Sequence, residues 1–238
     1  MQRTREIALV VVFGALHTLL SLLPGVWRSL MILILPLEGI VLGPTRGFLA
    51  GFIGFGAGWT LRPRGEPIVF GLAEPVGALC AGLMIRKKWY YVVLIYALML
   101  TAFFLHPVTT SIPLWTLWDV YAALGCILVF GLLSYGKQIS VKADRSGRKT
   151  ARLSLILASA AFIGIEADVL VRIFIFVPLN FYEVMYPAAW LPEIFAVGAF
   201  QTPLEAFLSV AATVIIGVPL LDRLSKTGLL DPESLSLR

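Results

Sequence analysis

Six carboxylic acids stand inside apolar runs: Glu38, Glu74, Asp119, Glu166, Asp168 and Glu205. A carboxylate at the centre of a lipid-exposed helix costs about 2.5–3.5 kcal/mol on insertion scales, so such residues persist where they face a bundle interior, pair, or meet water. Gathered in one place they hold hydrogen-bond donors and cations, and aromatic rings beside them stack on planar or cationic groups. Trp59, Trp115, Trp118, Tyr121 and Trp190 fall at similar expected depths. The pattern predicts a site for a small solute, with Glu38, Glu74, Asp119, Glu166, Asp168, Arg172, Trp59, Trp118 and Trp190 as its candidate residues.

Blander roles compete for several of these. Asp168 and Arg172 are four apart on one helix face and can neutralise each other. Glu205 follows Pro203 at an expected helix start, where negative charge complements the helix dipole. Tryptophans near a membrane interface form the ordinary aromatic belt. Glu38 and Glu74 have no evident partner within the spans and are the strongest candidates.

The chemistry of metals and covalent catalysis is not foreshadowed. His17 and His106 are the only histidines, and no His/Cys set has metal-ligand spacing. His17 is expected to pack or to hydrogen-bond between helices. Cys80 and Cys126 lie in apolar runs and read as packing residues. No Gly-Lys-Ser/Thr phosphate loop and no nucleophile elbow occurs. We expect no cofactor, no metal and no enzyme activity.

The elements that must position the acids are helices in lipid. The chain of 238 residues is 59% hydrophobic and only 14% charged, with a mean hydropathy of +0.90. A soluble domain carries about 25% charged residues, so the surplus apolar surface faces lipid. We expect one integral membrane domain over residues 1–238, an all-α polytopic bundle of about six to eight helices in the cell membrane. Crossing the hydrocarbon takes about 20 apolar residues. The candidate segments are Ile7–Leu23, Ser29–Leu42, Gly47–Leu61, Val69–Ile85, Trp89–Leu105, Leu114–Tyr135, Ala151–Val177 and Pro203–Leu221. The second and third are short and flank a Gly43-Pro44-Thr45-Arg46-Gly47 turn.

Basic residues orient the spans. With both termini cytoplasmic, the inner side holds every Lys and Arg except Arg28, Arg62 and Arg64, which lie outside, and Arg172, which lies in a span. The basic stretch Lys142–Arg152 then reads as an anchor to anionic lipid, not as a nucleic-acid patch. On this topology the buried acids share the outer half of the bilayer. The outer stretch Leu179–Thr202, with Tyr182, Tyr186, Pro187, Trp190 and Pro192, suits an interfacial helix or a lid.

Glycines at 47/51 and 54/58 make two GxxxG spacings, and Ala73, Gly77, Ala81 and Ala78, Gly82 continue the small-residue pattern. Such faces let helix backbones approach closely.

The run Ile7-Ala-Leu-Val-Val-Val-Phe-Gly-Ala15-Leu, then Leu35-Pro-Leu-Glu-Gly-Ile-Val-Leu-Gly43-Pro44, then Gly47-Phe-Leu-Ala-Gly51, resembles the start of the substrate-binding S components of energy-coupling factor (ECF) transporters. Val69–Lys88 is similar to a following helix of that family. The resemblance covers roughly the first 90 residues. It implies a small all-helical protein that captures a vitamin or related micronutrient from outside. Its implied partners are a transmembrane coupling subunit and two cytoplasmic ATPases. It also implies a small-residue docking face on the first helix, filled here by Ala8, Val11 and Ala15; valine departs from the family's alanine. An acidic, aromatic pocket would favour a cationic or amine-bearing heteroaromatic solute. Two other readings remain open: a proton-coupled secondary transporter using Glu38, Glu74 or Asp168, and an intramembrane enzyme acting on lipid.

Overall fold

The structure, a computed structural model, describes residues 2–26, 28–63, 67–136 and 147–227. Arg64 and Glu66, the basic residues Lys137, Lys142 and Arg145 with Asp144, and Asp231, Glu233 and Arg238 lie outside the described residues.

All eight apolar segments are helical. They become α1 (Gln2–Ser21), α2 (Leu35–Leu42), α3 (Pro44–Leu61), α4 (Ala73–Ile85), α5 (Trp89–Leu105), α6 (Trp118–Gly136), α7 (Gly147–Phe176) and, after a four-residue α8 (Tyr182–Met185), α9 (Leu191–Lys226). The protein is an all-α helical bundle, and among the described residues five helices are long and apolar enough to cross a membrane. At about 1.5 Å per residue, the 30 residues of α7 reach about 45 Å and the 36 of α9 about 54 Å, both more than the roughly 30 Å of hydrocarbon.

The second segment is the exception. One 3₁₀ turn, Leu30–Leu33, leads into α2, whose eight residues are all buried. About 12 Å of helix is too short to span. Helices α1, α3, α4, α7 and α9 all pack against it. A helix hydrophobic all round is a core helix, and α2 brings Glu38 to the middle of the bundle.

Close packing around α2 depends on small residues. A Cβ added to Gly47 would meet the Gly39 backbone at 2.6 Å, and one added to Gly82 would meet Pro44 at 2.7 Å. On the other side of α4, a Cβ on Gly77 would lie 2.7 Å from the carbonyl oxygen of Gly164 in α7. Gly54 and Gly58 of α3 leave room for His17 and Ser21 of α1. Both GxxxG spacings are therefore helix crossings. Gly43 turns the chain from α2 into α3 with φ of 85°, in the region that favours glycine.

Gly56, on the same glycine-rich helix, meets nothing within 4 Å of an added Cβ. A mid-helix glycine is less favourable than alanine by about 0.5–1 kcal/mol. Gly56→Ala is expected to leave the protein folded and raise its melting temperature by a few degrees, as read by intrinsic tryptophan fluorescence in detergent.

The last helix begins at Leu191, not at Pro203. Pro192 occupies the first turn, where a missing N–H costs nothing. Pro203 and Pro219 are inside the helix, where each removes one backbone hydrogen bond. Of the stretch 179–202, only the portion before residue 191 is an irregular connection, built from α8 and a 3₁₀ turn at Ala188–Trp190.

Candidate functional site

His17 joins the two strongest candidates. Its Nδ1 lies 2.7 Å from Glu38 Oε1 and its Nε2 lies 3.0 Å from Glu74 Oε2, with all three side chains fully buried. The expectation that Glu38 and Glu74 lack a partner is corrected by this ring. The partner lies 21 residues from one acid and 57 from the other, a pairing that helix periodicity does not show. Two hydrogen bonds between one imidazole and two carboxyls need two protons, so the trio carries one net negative charge wherever those protons sit. Arg172 Nη2, 3.3 Å from Glu74 Oε1, brings a positive charge to it.

From Arg172 the charges continue. Its Nε is 3.2 Å from Asp168 Oδ2, the i,i+4 pair expected from the sequence. Asp168 is also paired to Arg28 Nη1, and Arg28 Nε donates to Glu205 Oε2 at 2.5 Å. The Arg28 backbone N–H donates to the other Glu205 oxygen at 2.7 Å. Arg28 was expected in an outer connection exposed to water; the structure buries it, with 5% of its side chain exposed. A tight turn carries it inward: Gly25 N–H donates to the Arg28 carbonyl at 2.7 Å and Leu30 N–H to Leu23 at 3.1 Å. Glu205 is the fifteenth residue of α9, so its role at a helix start is also corrected. It is the buried counter-charge of Arg28. Neither partner of Arg28 was accessible to sequence reasoning, since they are 140 and 177 residues away.

Asp119 and Glu166 stand beside this chain of charges. Asp119, 2% exposed, accepts from the Val120 N–H at 2.9 Å and from the Thr202 hydroxyl. That hydroxyl also meets the Gly198 carbonyl at 2.9 Å, and its one proton serves one acceptor at a time. Glu166 is fully buried, and both its oxygens lack a hydrogen-bond partner among the described residues. Asp119, Arg28 and Asp168 are charged neighbours of it.

A cavity of about 230 Å³ opens next to these groups. Its polar wall contains Arg28, Arg172, Asp119, Glu205, Thr116 and Thr202. Its apolar wall includes Phe70, Phe176, Phe195 and Tyr186. Phe176 is the hub: its ring centroid lies 6.3 Å from that of Phe70, 6.5 Å from Phe195 and 6.2 Å from Tyr186. An apolar concavity with a few convergent polar groups is the usual form of a small-molecule site. The aromatic wall comes from Phe70 in the 3₁₀ turn Ile68–Leu72, from α7 and from the 179–202 stretch, so that stretch does border the cavity.

The predicted residues divide accordingly. Asp119 and Arg172 line the cavity. Asp168, Glu74 and Glu38 are linked to it through Arg28, Arg172 and His17. The tryptophans are not its walls. Trp59 lies half-buried near the end of α3. Trp118 and Trp190 are 50% and 56% exposed, and the Trp118 indole N–H donates to Ala199 at 2.9 Å. The aromatic lining is phenylalanine and tyrosine instead, a substitution hidden by the abundance of phenylalanine along the chain. His106 does not line the cavity; it pairs with Asn180 at 3.0 Å and its ring lies 6.3 Å from that of Tyr182. On α1, Ala8, Val11 and Ala15 are exposed together, on the helix that carries buried His17 on its other side. Among the described residues no cluster of His, Cys, Asp and Glu is arranged to hold a metal ion.

Thr202→Val tests the polar wall. Losing a donor to a buried carboxylate costs about 1–3 kcal/mol, so this variant is expected to fold with a melting temperature several degrees lower. An unchanged melting curve would mean that the Thr202 hydroxyl serves Gly198 alone.

No family model, no curated protein and no solved structure matches the chain, so the site's purpose has to follow from its own geometry.

Proposed function

We propose that the chain is the membrane-embedded solute-binding subunit of an ECF-type micronutrient importer, a multi-pass protein of the cell membrane. The observation that carries this reading is a cavity beside a buried network of ionisable side chains. Arg28, Arg172, Asp119 and Glu205 form its polar wall, and Phe70, Phe176 and Phe195 its apolar wall. Buried ionisable groups in a membrane bundle ordinarily mark a substrate or ion pathway. Aromatic faces next to carboxylates suit a cationic or amine-bearing heteroaromatic solute.

The rest of the reading follows from the resemblance of the first 90 residues. The solute enters from the outer side, and energy comes from a transmembrane coupling subunit with cytoplasmic ATPases. The exposed face of Ala8, Val11 and Ala15 is the docking surface for that coupling subunit. The chain itself is not an enzyme. The test is direct: purified protein binds one small solute with one-to-one stoichiometry, hydrolyses no ATP, and co-purifies with an ATPase pair from its source membrane. A folded protein that binds no member of a broad micronutrient panel would overturn the reading.

One observation favours a proton-coupled secondary transporter instead. Glu166, fully buried and without a hydrogen-bond partner among the described residues, is a place where a proton can be held. Uptake into liposomes by this chain alone, driven by a pH gradient and lost in Glu166→Gln, would establish that alternative.

A further inference from the structure

Two groups on the cavity wall have needs that their neighbours leave unmet. Arg28 donates through Nε to Glu205 and through Nη1 to Asp168, while its buried Nη2 has no hydrogen-bond partner among the described residues. Asp119 accepts only from neutral donors, the Val120 N–H and the Thr202 hydroxyl, and no ion pair joins it to a cation among the described residues. Both residues border the same cavity. One is a donor lacking an acceptor. The other is an acid with no cation in ion-pair contact among the described residues.

We propose that the cavity takes a zwitterionic solute, with a cationic nitrogen at Asp119 and a carboxylate oxygen at Arg28, on a flat apolar body packed against Phe70, Phe176 and Phe195. This rests on the solute-binding reading above and narrows it. A solute bearing only a cation would leave Arg28 Nη2 unpaired. A solute bearing only an anion would face Asp119 and Glu205. Like charges brought together in a low dielectric are strongly disfavoured, and a buried unpaired donor keeps its desolvation penalty. A molecule with both groups relieves both conditions at once. The size also limits the candidates. A cavity of about 230 Å³ is sized for a small solute.

Three probes separate the possibilities: 4-(aminomethyl)benzoate, benzylamine and benzoate. Each is titrated into the purified full-length protein in nanodiscs by calorimetry, with the thermal shift as a second readout. The zwitterion is expected to bind at least about tenfold more tightly than either singly charged probe. Asp119→Asn is expected to erase its advantage over benzoate. Arg28→Lys keeps a cation for Asp168 and Glu205 and is expected to erase its advantage over benzylamine. The wild-type comparison decides the matter even where a variant fails to fold. Benzylamine or benzoate binding as tightly as the zwitterion would overturn the ligand class and leave the solute site in place. No binding of any probe at millimolar concentration to folded protein would overturn the site as well.

Discussion

His17→Ala is expected to lower the melting temperature by roughly 6–20 °C in detergent. The ring fills the space between Glu38 and Glu74 and shares the two protons that keep those carboxyls together. Removing it leaves two acids beside an empty space, and of the two Glu74 has Arg172 as a partner. Breaking a buried ion pair by deleting one partner costs about 3–5 kcal/mol, and in a chain of this length each kcal/mol shifts melting by about 2–4 °C. The variant Glu38→Gln in the His17→Ala background is expected to restore part of the loss, because it removes one charge from the vacated site. Thermal unfolding followed by tryptophan fluorescence reads both. If His17→Ala melts within a degree or two of the wild type, the trio contributes little to stability and a water-filled site is the better description.

The second large effect belongs to Gly39. A Cβ there would lie inside the van der Waals shell of the Ala78 carbonyl oxygen, 2.8 Å from the carbonyl carbon. The obstacle is backbone on α4, so no rotamer change relieves it. Gly47 and Gly82 approach α2 at the same crossing, which blocks a shift in either direction. Overpacking usually costs about 1–3 kcal/mol where the surroundings can yield, and here three backbones are locked together. Gly39→Ala is therefore expected to abolish the monodisperse folded protein in size-exclusion chromatography. Gly56→Ala, the same change on an open face of α3, is the control that should elute normally. The displacement would also carry Glu38 away from His17, since residues 38 and 39 share one turn of α2.

Helical class was legible because lipid imposes a simple rule on composition, and all eight apolar segments are helical, although α2 is too short to span and the last helix begins at Leu191. The small-residue spacing of Gly47, Gly51, Gly54 and Gly58 was legible for the same reason: close backbone approach demands it. The acids were legible as costs. Their partners were not, because Arg28 and His17 pair with residues brought near only by tertiary packing. Arg28 read as an outer residue since counting spans assigns a connection to water, whereas the Pro24–Ser29 turn folds that connection back into the bundle. Glu205 was misplaced because Pro203 looks like a helix start, and α9 instead carries the proline in its interior. The rings of the cavity were missed in favour of tryptophans because depth along a helix says nothing about which face a side chain occupies.

The two sets of buried charges differ in when the growing chain can complete them. His17, Glu38 and Glu74 are all present once α4 has been made, so the first set can close while the rest of the protein is still being synthesised. Arg28 belongs to the same early stretch, but its counter-charges arrive only with α7 and α9. Until then its guanidinium has to stay near water or lipid headgroups. Its ion pairs can therefore be complete only once α9 has been made.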